Sequence, residues 1–176
     1  MKHLIRILPL LTLVALVWPA SLRATERFSA SPRVAEHLAS FEMKAAHANR
    51  VAQELESLNR SRVSWESHAD YLTTLRQSVN EMGSLLKELE MIKTSASHVQ
   101  AKAIEHARPH LQEVAARLEG AIANLNDNRR VITHPDYQNS LREIASNADS
   151  LSQKMNAILD YHRAGMRLAE LEVAVN

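Results

Sequence analysis

Apolar residues recur at alternating spacings of three and four along most of this chain, and no other feature limits its fold as strongly. The clearest of four such runs contains Trp65, His68, Leu72, Leu75, Val79, Met82, Leu86 and Leu89. This period places the side chains along one stripe of an α-helix and suits coiled-coil-like packing. The run therefore predicts a long helix that buries one face against other helices.

Capping residues and interruptions of the apolar pattern divide the chain into four predicted helices. We expect these helices at about 32–59, 64–93, 98–126 and 135–172. Ser31 before Pro32, and then Ser64 and Ser97, are suitable N-caps, and Thr133 resembles the start of a capping box. Helices of roughly 30 residues, about 45 Å each, joined by short links predict an all-α, up-down-up-down antiparallel four-helix bundle.

The composition also favours helices. The chain has only 3 Gly among 176 residues and few aromatic residues, whereas Ala, Leu, Glu and Ser are abundant. A three-helix alternative would fuse the second and third segments through KTSAS at 93–97. We disfavour that alternative because TSAS is a poor helix centre and the fused helix would exceed 60 residues.

The first 24 residues have the layout of a secretory signal peptide. Basic residues precede an apolar run from Ile7 to Val17, and small residues follow near Ala20 and Ala24. We expect cleavage after Ala24, or alternatively after Ala20, which leaves a single helical-bundle domain at 25–176. The apolar run is shorter than the roughly 20 residues of a membrane-spanning helix, so an uncleaved anchor is the weaker alternative. The expected location is periplasmic or extracellular, with no stable membrane insertion after cleavage.

Charge and cysteine content exclude several classes of function. Removal of residues 1–24 leaves 18 Lys and Arg against 20 Asp and Glu, and this slightly acidic balance argues against nucleic-acid binding. The absence of cysteine excludes disulfides, thiol catalysis and haem attached through a C-x-x-C-H motif. There is also no pair of E-x-x-H motifs, no phosphate-binding glycine loop and no nucleophile elbow. We therefore expect a protein that is not an enzyme and needs no cofactor.

The histidines provide the alternative hypothesis of a metal or haem site. His106 and His110 are spaced like zinc ligands, but Ala107 stands where a zincin motif needs Glu, so we interpret them as surface residues. The antiparallel arrangement instead places His37, His98 and His162 near one end of the bundle. These three residues are the candidate metal ligands, or the candidate site for a noncovalently bound haem.

The stretch WESHADY contains the most distinctive aromatic patch of the chain. Trp65, His68 and Tyr71 lie within the first two turns of the second predicted helix. One interpretation is a cap over the end of the bundle, in which His68 bonds to a neighbour. The other is a docking surface for a protein partner, since aromatic side chains are common anchors of interfaces.

Four stretches of the chain carry a resemblance to a known family: WESHADYL (65–72), VNEMGSLLKELE (79–90), AIEHARPHL (103–111) and LDYHRAGMRLAELE (159–172). In these stretches the chain resembles a family of small exported bacterial proteins with an all-helical pattern. The resemblance extends over most of the mature chain and implies an exported helical bundle. It implies no activity and no cofactor.

These observations favour a noncatalytic interaction or structural protein of the cell envelope with a protein partner. The alternatives are the metal- or haem-binding bundle and a periplasmic stress chaperone. A homodimer would also be consistent with an apolar flank formed by Val51, Leu58, Leu159 and Met166, although these residues are equally suited to widening the core.

Overall fold

A computed structural model describes residues 31–60 and 63–175 of the chain. Within these ranges the chain forms four α-helices, which are α1 (Pro32–Ser57), α2 (Trp65–Met91), α3 (His98–Asp127) and α4 (Pro135–Val175). Each helix begins within one residue of its predicted start, and α4 extends three residues past its predicted end. The predicted signal peptide and both of its cleavage sites lie outside the described residues.

The helices pack in an all-α, up-down-up-down antiparallel four-helix bundle, as predicted. Each helix packs mainly against its two neighbours in the cyclic order α1, α2, α3, α4. Short 3₁₀ turns lie between successive helices, and the described part of the chain contains no strand. Because the helices alternate in direction, the starts of α1 and α3 lie at the same end as the last turns of α4. We call this end the His98 end, and the opposite end the Trp65 end.

The core consists of the stripe that the heptad spacing predicts. Its largest fully buried apolar side chains include Phe41, Leu75, Met82, Leu118 and Ile144, which come from all four helices. Burial of a side chain of this size contributes roughly 1.5–3 kcal/mol relative to exposure. Packing of these stripes is therefore the main force that holds the bundle together.

The start of α3 confirms the predicted cap at Ser97. Ser31 and Ser64 stand at the N-cap positions of α1 and α2, but their side chains make no capping hydrogen bond. The start of α4 corrects the fourth predicted cap. Ser97 Oγ accepts a hydrogen bond from the Gln100 amide at 3.2 Å, and the Gln100 side chain accepts one from the Ser97 amide at 2.9 Å. Thr133 does not cap α4. It ends a 3₁₀ turn, where its hydroxyl donates to the Arg130 carbonyl at 3.1 Å. The first α-helical hydrogen bond of α4 instead runs from Gln138 to the carbonyl of His134.

Two contacts fix the register between α1 and α4. The Asn49 side chain donates to Asp149 Oδ1 at 3.0 Å, and the side chain of Asn59, in the 3₁₀ turn directly after α1, donates to the Gln138 carbonyl at 3.3 Å. In antiparallel helices this pairing places Pro32 level with about residue 166 of α4. About nine residues of α4, at 167–175, therefore continue for roughly 13 Å past the start of α1. None of the described helices is long and apolar enough to cross a membrane.

Candidate functional site

The predicted aromatic patch at the Trp65 end is partly incorporated into the core. His68 is buried, and its Nδ1 atom is 3.3 Å from the hydroxyl of Tyr137, which is fully buried at the start of α4. Trp65 is half-buried, and the guanidinium of Arg129 lies 4.0 Å from its ring centroid. Tyr71 is half-buried against the core. The His68 ring is therefore enclosed within the fold, and a docking role for Trp65 and Tyr71 stays a prediction.

Burial favours the neutral forms of His68 and Tyr137. It lowers the pKa of His68 from its ordinary value of 6.5. It also raises the pKa of Tyr137 well above the usual range of a phenol. In the unfolded chain the imidazole titrates near its ordinary pKa of about 6.5. Below that pH the unfolded chain binds more protons at this position than the folded chain, so folding stability decreases as the pH falls.

We expect acid to destabilise the protein less when His68 is replaced by Gln, since the substitution removes this titration. The free energy of unfolding should be measured in urea at about pH 7.5 and about pH 5.5. The wild type should lose more stability between the two pH values than His68→Gln, by at most about 1.4 kcal/mol per pH unit. His106→Gln, at an exposed position of α3, serves as the control and should lose as much as the wild type. Equal losses of stability in all three proteins would contradict the conclusion that the lowered pKa of His68 makes folding sensitive to acid.

The structure does not assemble the predicted metal ligands into a site. His37 Nε2 contacts Glu88 Oε2 on α2 at 2.8 Å, His98 is exposed at the start of α3, and His162 is buried in α4. Within residues 31–60 and 63–175, no three His, Cys, Asp or Glu side chains converge in a way that could hold a metal ion. The described geometry therefore offers no metal centre at His37, His98 and His162.

His106 and His110 have different surroundings on α3. His106 is exposed, whereas His110 is half-buried and its Nε2 atom is 2.8 Å from Lys154 Nζ on α4. Burial, together with the positive charge of Lys154, lowers the pKa of His110. A lysine ammonium at this nitrogen occupies the position that a metal would need. This contact is consistent with our interpretation of the two histidines as surface residues rather than ligands.

Between the described helices, hollows open on the surface of the bundle at two places that concern us. One, of about 560 Å³, lies between α2 and α3 and includes Val79, Leu86 and Leu111, with the Glu90–Arg108 ion pair beside it. The other, of about 340 Å³, lies between α3 and α4 at the His98 end. We call it the His98 hollow. Its lining consists of His98, Val99, Lys102, Ala157, Ile158 and Tyr161.

A second apolar stripe starts at the His98 hollow and follows the outside of α4 to its end. We call it the outer stripe, and its members are Ala157, Tyr161, Ala164, Leu168, Leu171 and Val175. All six are exposed, and the exposed fractions of the four large residues are 52% for Tyr161, 63% for Leu168, 61% for Leu171 and 85% for Val175. Their spacing alternates between four and three, like that of a core seam.

The outer stripe is separate from the stripe that α4 turns toward the core. The core stripe of the same helix passes through Met155, Leu159 and His162, all of which are buried. The sequence-based predictions missed the outer stripe because they assigned one apolar seam to each helix. Its signal is visible in the sequence as a second series with heptad spacing between residues 157 and 175.

An ion-pair cluster anchors α4 to α1 beside the outer stripe. The Arg163 guanidinium donates to both carboxylate oxygens of Glu42 at 3.0 and 2.9 Å, and it also donates to Asp160 at 2.9 Å. Hydrogen bonding to Glu42 is the main reason why the pKa of Arg163 is raised. His162 is the last buried residue in the described part of α4, so the helix leaves the core just beyond this anchor.

The apolar flank considered for a homodimer belongs mostly to the core. Val51 and Leu159 are buried, and Leu58 and Met166 are half-buried. This flank widens the core stripes of α1 and α4, which is common in bundle helices. It does not form an exposed patch that two copies could share.

The outer stripe is thus the candidate functional site. It is contiguous and apolar, and it adjoins a hollow that is lined partly by the same residues. Exposed apolar surface of this kind marks sites at which proteins bind other molecules. Comparisons with protein-family models, with curated proteins and with solved structures found no match to this chain.

Proposed function

We propose that this protein is a noncatalytic interaction protein of the cell envelope, and that the outer stripe is its contact surface. The observation that carries the proposal is the exposure of Leu168, Leu171 and Val175 at heptad spacing on a helix that continues past the bundle. Their exposure to water is unfavourable, and a partner that covers them recovers roughly 25 cal/mol for each Å² of apolar area removed from water.

The rest of the molecule supports a role in positioning this surface. The bundle is anchored to α4 through its core and through the Arg163–Glu42 ion pair, so the outer stripe starts from a rigid base. A rigid, prefolded helix loses little conformational entropy when it binds, which favours affinity. The layout of residues 1–24, that of a secretory signal peptide, supports placement of the protein in the periplasm or outside the cell.

We expect a photo-crosslinking amino acid at position 168 to trap a partner in cells that export the protein. The apolar contact that buries Leu168 should hold the probe against one protein surface, which gives a discrete crosslinked band. The matched control carries the same probe at Ala116, an exposed position on α3 away from the outer stripe, and should give no such band. Measurement of cell extracts by gel electrophoresis and mass spectrometry identifies the trapped protein.

The pattern of products separates the proposal from its alternatives. A discrete product at position 168, absent at 116, supports a specific contact surface. A smear of many products is the pattern of a stress chaperone that holds unfolded clients, and it would count against a specific partner. No product at either position would show that the outer stripe is not a contact surface under those conditions and would refute the proposal.

A further inference from the structure

We infer that the partner of the outer stripe is a second copy of this chain, bound antiparallel so that the last turns of each α4 lie in the other's His98 hollow. This inference rests on the proposed function, because it names the partner of the same surface. The contact is isologous: both copies use the same residues around a two-fold axis, as in most homodimers.

The apolar residues of two outer stripes match when the helices run in opposite directions. With the axis near Met166, Ala164 of one copy faces Leu168 of the second copy, and Tyr161 faces Leu171. Ala157 then faces Val175. Each alanine is thereby opposite a larger residue, and such alternation of small and large side chains lets two helices interdigitate. Every large residue of the outer stripe is covered in this register.

The same register fills the His98 hollow. The hollow is lined by Ala157, Ile158 and Tyr161 of α4, together with residues of α3, and has a volume of about 340 Å³. Leu171 and Val175 of the second copy reach it because they lie opposite Tyr161 and Ala157. The volume is ample for two aliphatic side chains, which makes the hollow a receptor for the helix that covers it.

Charges around the hollow complement those of the incoming helix. Lys102 lies at the hollow, with Glu105 Oε2 at 3.7 Å from its Nζ atom, and the last turns of α4 carry Glu170 and Glu172. Glu172 is on the edge of the outer stripe that faces α3 of the second copy, so its carboxylate approaches Lys102 there. Because the dimer is two-fold symmetric, this attraction occurs twice, once at each His98 hollow. Arg167 of the two copies lies near the axis, where its long side chain can extend into water.

The shape of the bundle favours the antiparallel arrangement over a parallel one. In the antiparallel dimer the two bundles lie at opposite ends of the paired helices, and the roughly 13 Å by which each α4 continues past α1 lies alongside α4 of the second copy. A parallel dimer would place the two bundles side by side. It would also leave both His98 hollows unfilled.

The length of the outer stripe sets the expected strength of the dimer. The paired region extends over roughly 19 residues, or about 27 Å, which is fewer than the three to four heptads that define a stable coiled coil. The hollow and the charge pairs add to that contact. We therefore expect a reversible dimer whose population depends on protein concentration.

Cysteine pairing tests the arrangement, because the native chain has no cysteine to interfere. Tyr161→Cys and Leu171→Cys are prepared separately from the cell envelope, mixed and oxidised mildly. The mixture is expected to form a disulfide-linked dimer of one Tyr161→Cys chain and one Leu171→Cys chain. Leu171→Cys alone should form at least tenfold less disulfide-linked dimer, because the thiols of its two copies lie about 15 Å apart in the antiparallel dimer. Circular dichroism checks that each variant is folded.

Two results would overturn the inference in different ways. Efficient disulfide formation by Leu171→Cys alone would show a parallel dimer. The absence of disulfides in folded variants, alone or mixed, would show that no second copy occupies the outer stripe. In that second case, a discrete crosslink from position 168 to another protein would support the proposed function without the dimer. The absence of any crosslink would refute both the proposed function and the dimer.

Discussion

Phe41→Ala is expected to destabilise the bundle by about 3–5 kcal/mol. Phe41 is 0% exposed in α1 and is among the largest fully buried side chains of the core. Without the ring, the protein loses the favourable free energy of transferring it from water into the core. The substitution also leaves a cavity that the surrounding helices fill only in part. Since small domains are stable by roughly 5–15 kcal/mol, this loss is a large part of the total.

Urea unfolding followed by circular dichroism measures this loss of stability. Met43→Ala is the matched control, because Met43 lies two residues away in the same helix and is 67% exposed. We expect its effect on the free energy of unfolding to stay within about 0.5 kcal/mol. A loss below about 1 kcal/mol for Phe41→Ala would contradict the position of Phe41 in the core.

The helices could be predicted from the sequence because their signals are local. The heptad series in α2 defines a buried face, and the capping box at Ser97 defines the start of α3, without reference to the rest of the chain. The seam position of His68 also came from spacing alone, and His68 is buried. Four such segments with short links leave few arrangements besides an antiparallel bundle.

Contacts between distant segments could not be predicted in the same way. Tyr137 continues the seam of α4 backward from Leu141, yet its contact with His68, 69 residues earlier, depends on how α2 and α4 meet. Thr133 has the residue type of a cap, but the chain forms a 3₁₀ turn there and α4 begins later. Sequence spacing identifies which residues share a face, whereas the partners of that face follow only from the packed structure.

The candidate functional site, the outer stripe, could not be predicted from the sequence for the same reason. Spacing reveals two apolar series in the last part of α4, and the sequence does not show which of them the bundle buries. The structure resolves this question, because His162 is buried whereas Leu168 and Leu171 are exposed. The sequence predicts a docking surface at the aromatic residues 65–71, but the exposed apolar residues of the outer stripe lie at the other end of the molecule.

Replacement of both Leu168 and Leu171 by Glu is expected to weaken self-association by about 100-fold or more, because each dimer would then bury four carboxylates in an apolar contact. The fold should be unaffected, since both side chains are exposed in the single bundle. Met43→Glu, at an exposed position outside the outer stripe, adds a carboxylate without touching the contact and should associate like the wild type.

Sedimentation equilibrium over the micromolar to millimolar range tests the central claim, which is that a second copy covers the outer stripe. We predict that the mass of the wild type rises with concentration toward twice that of one chain, while the Leu168→Glu, Leu171→Glu variant keeps the mass of a single chain. Wild type and variant with the same single-chain mass at every concentration would contradict it.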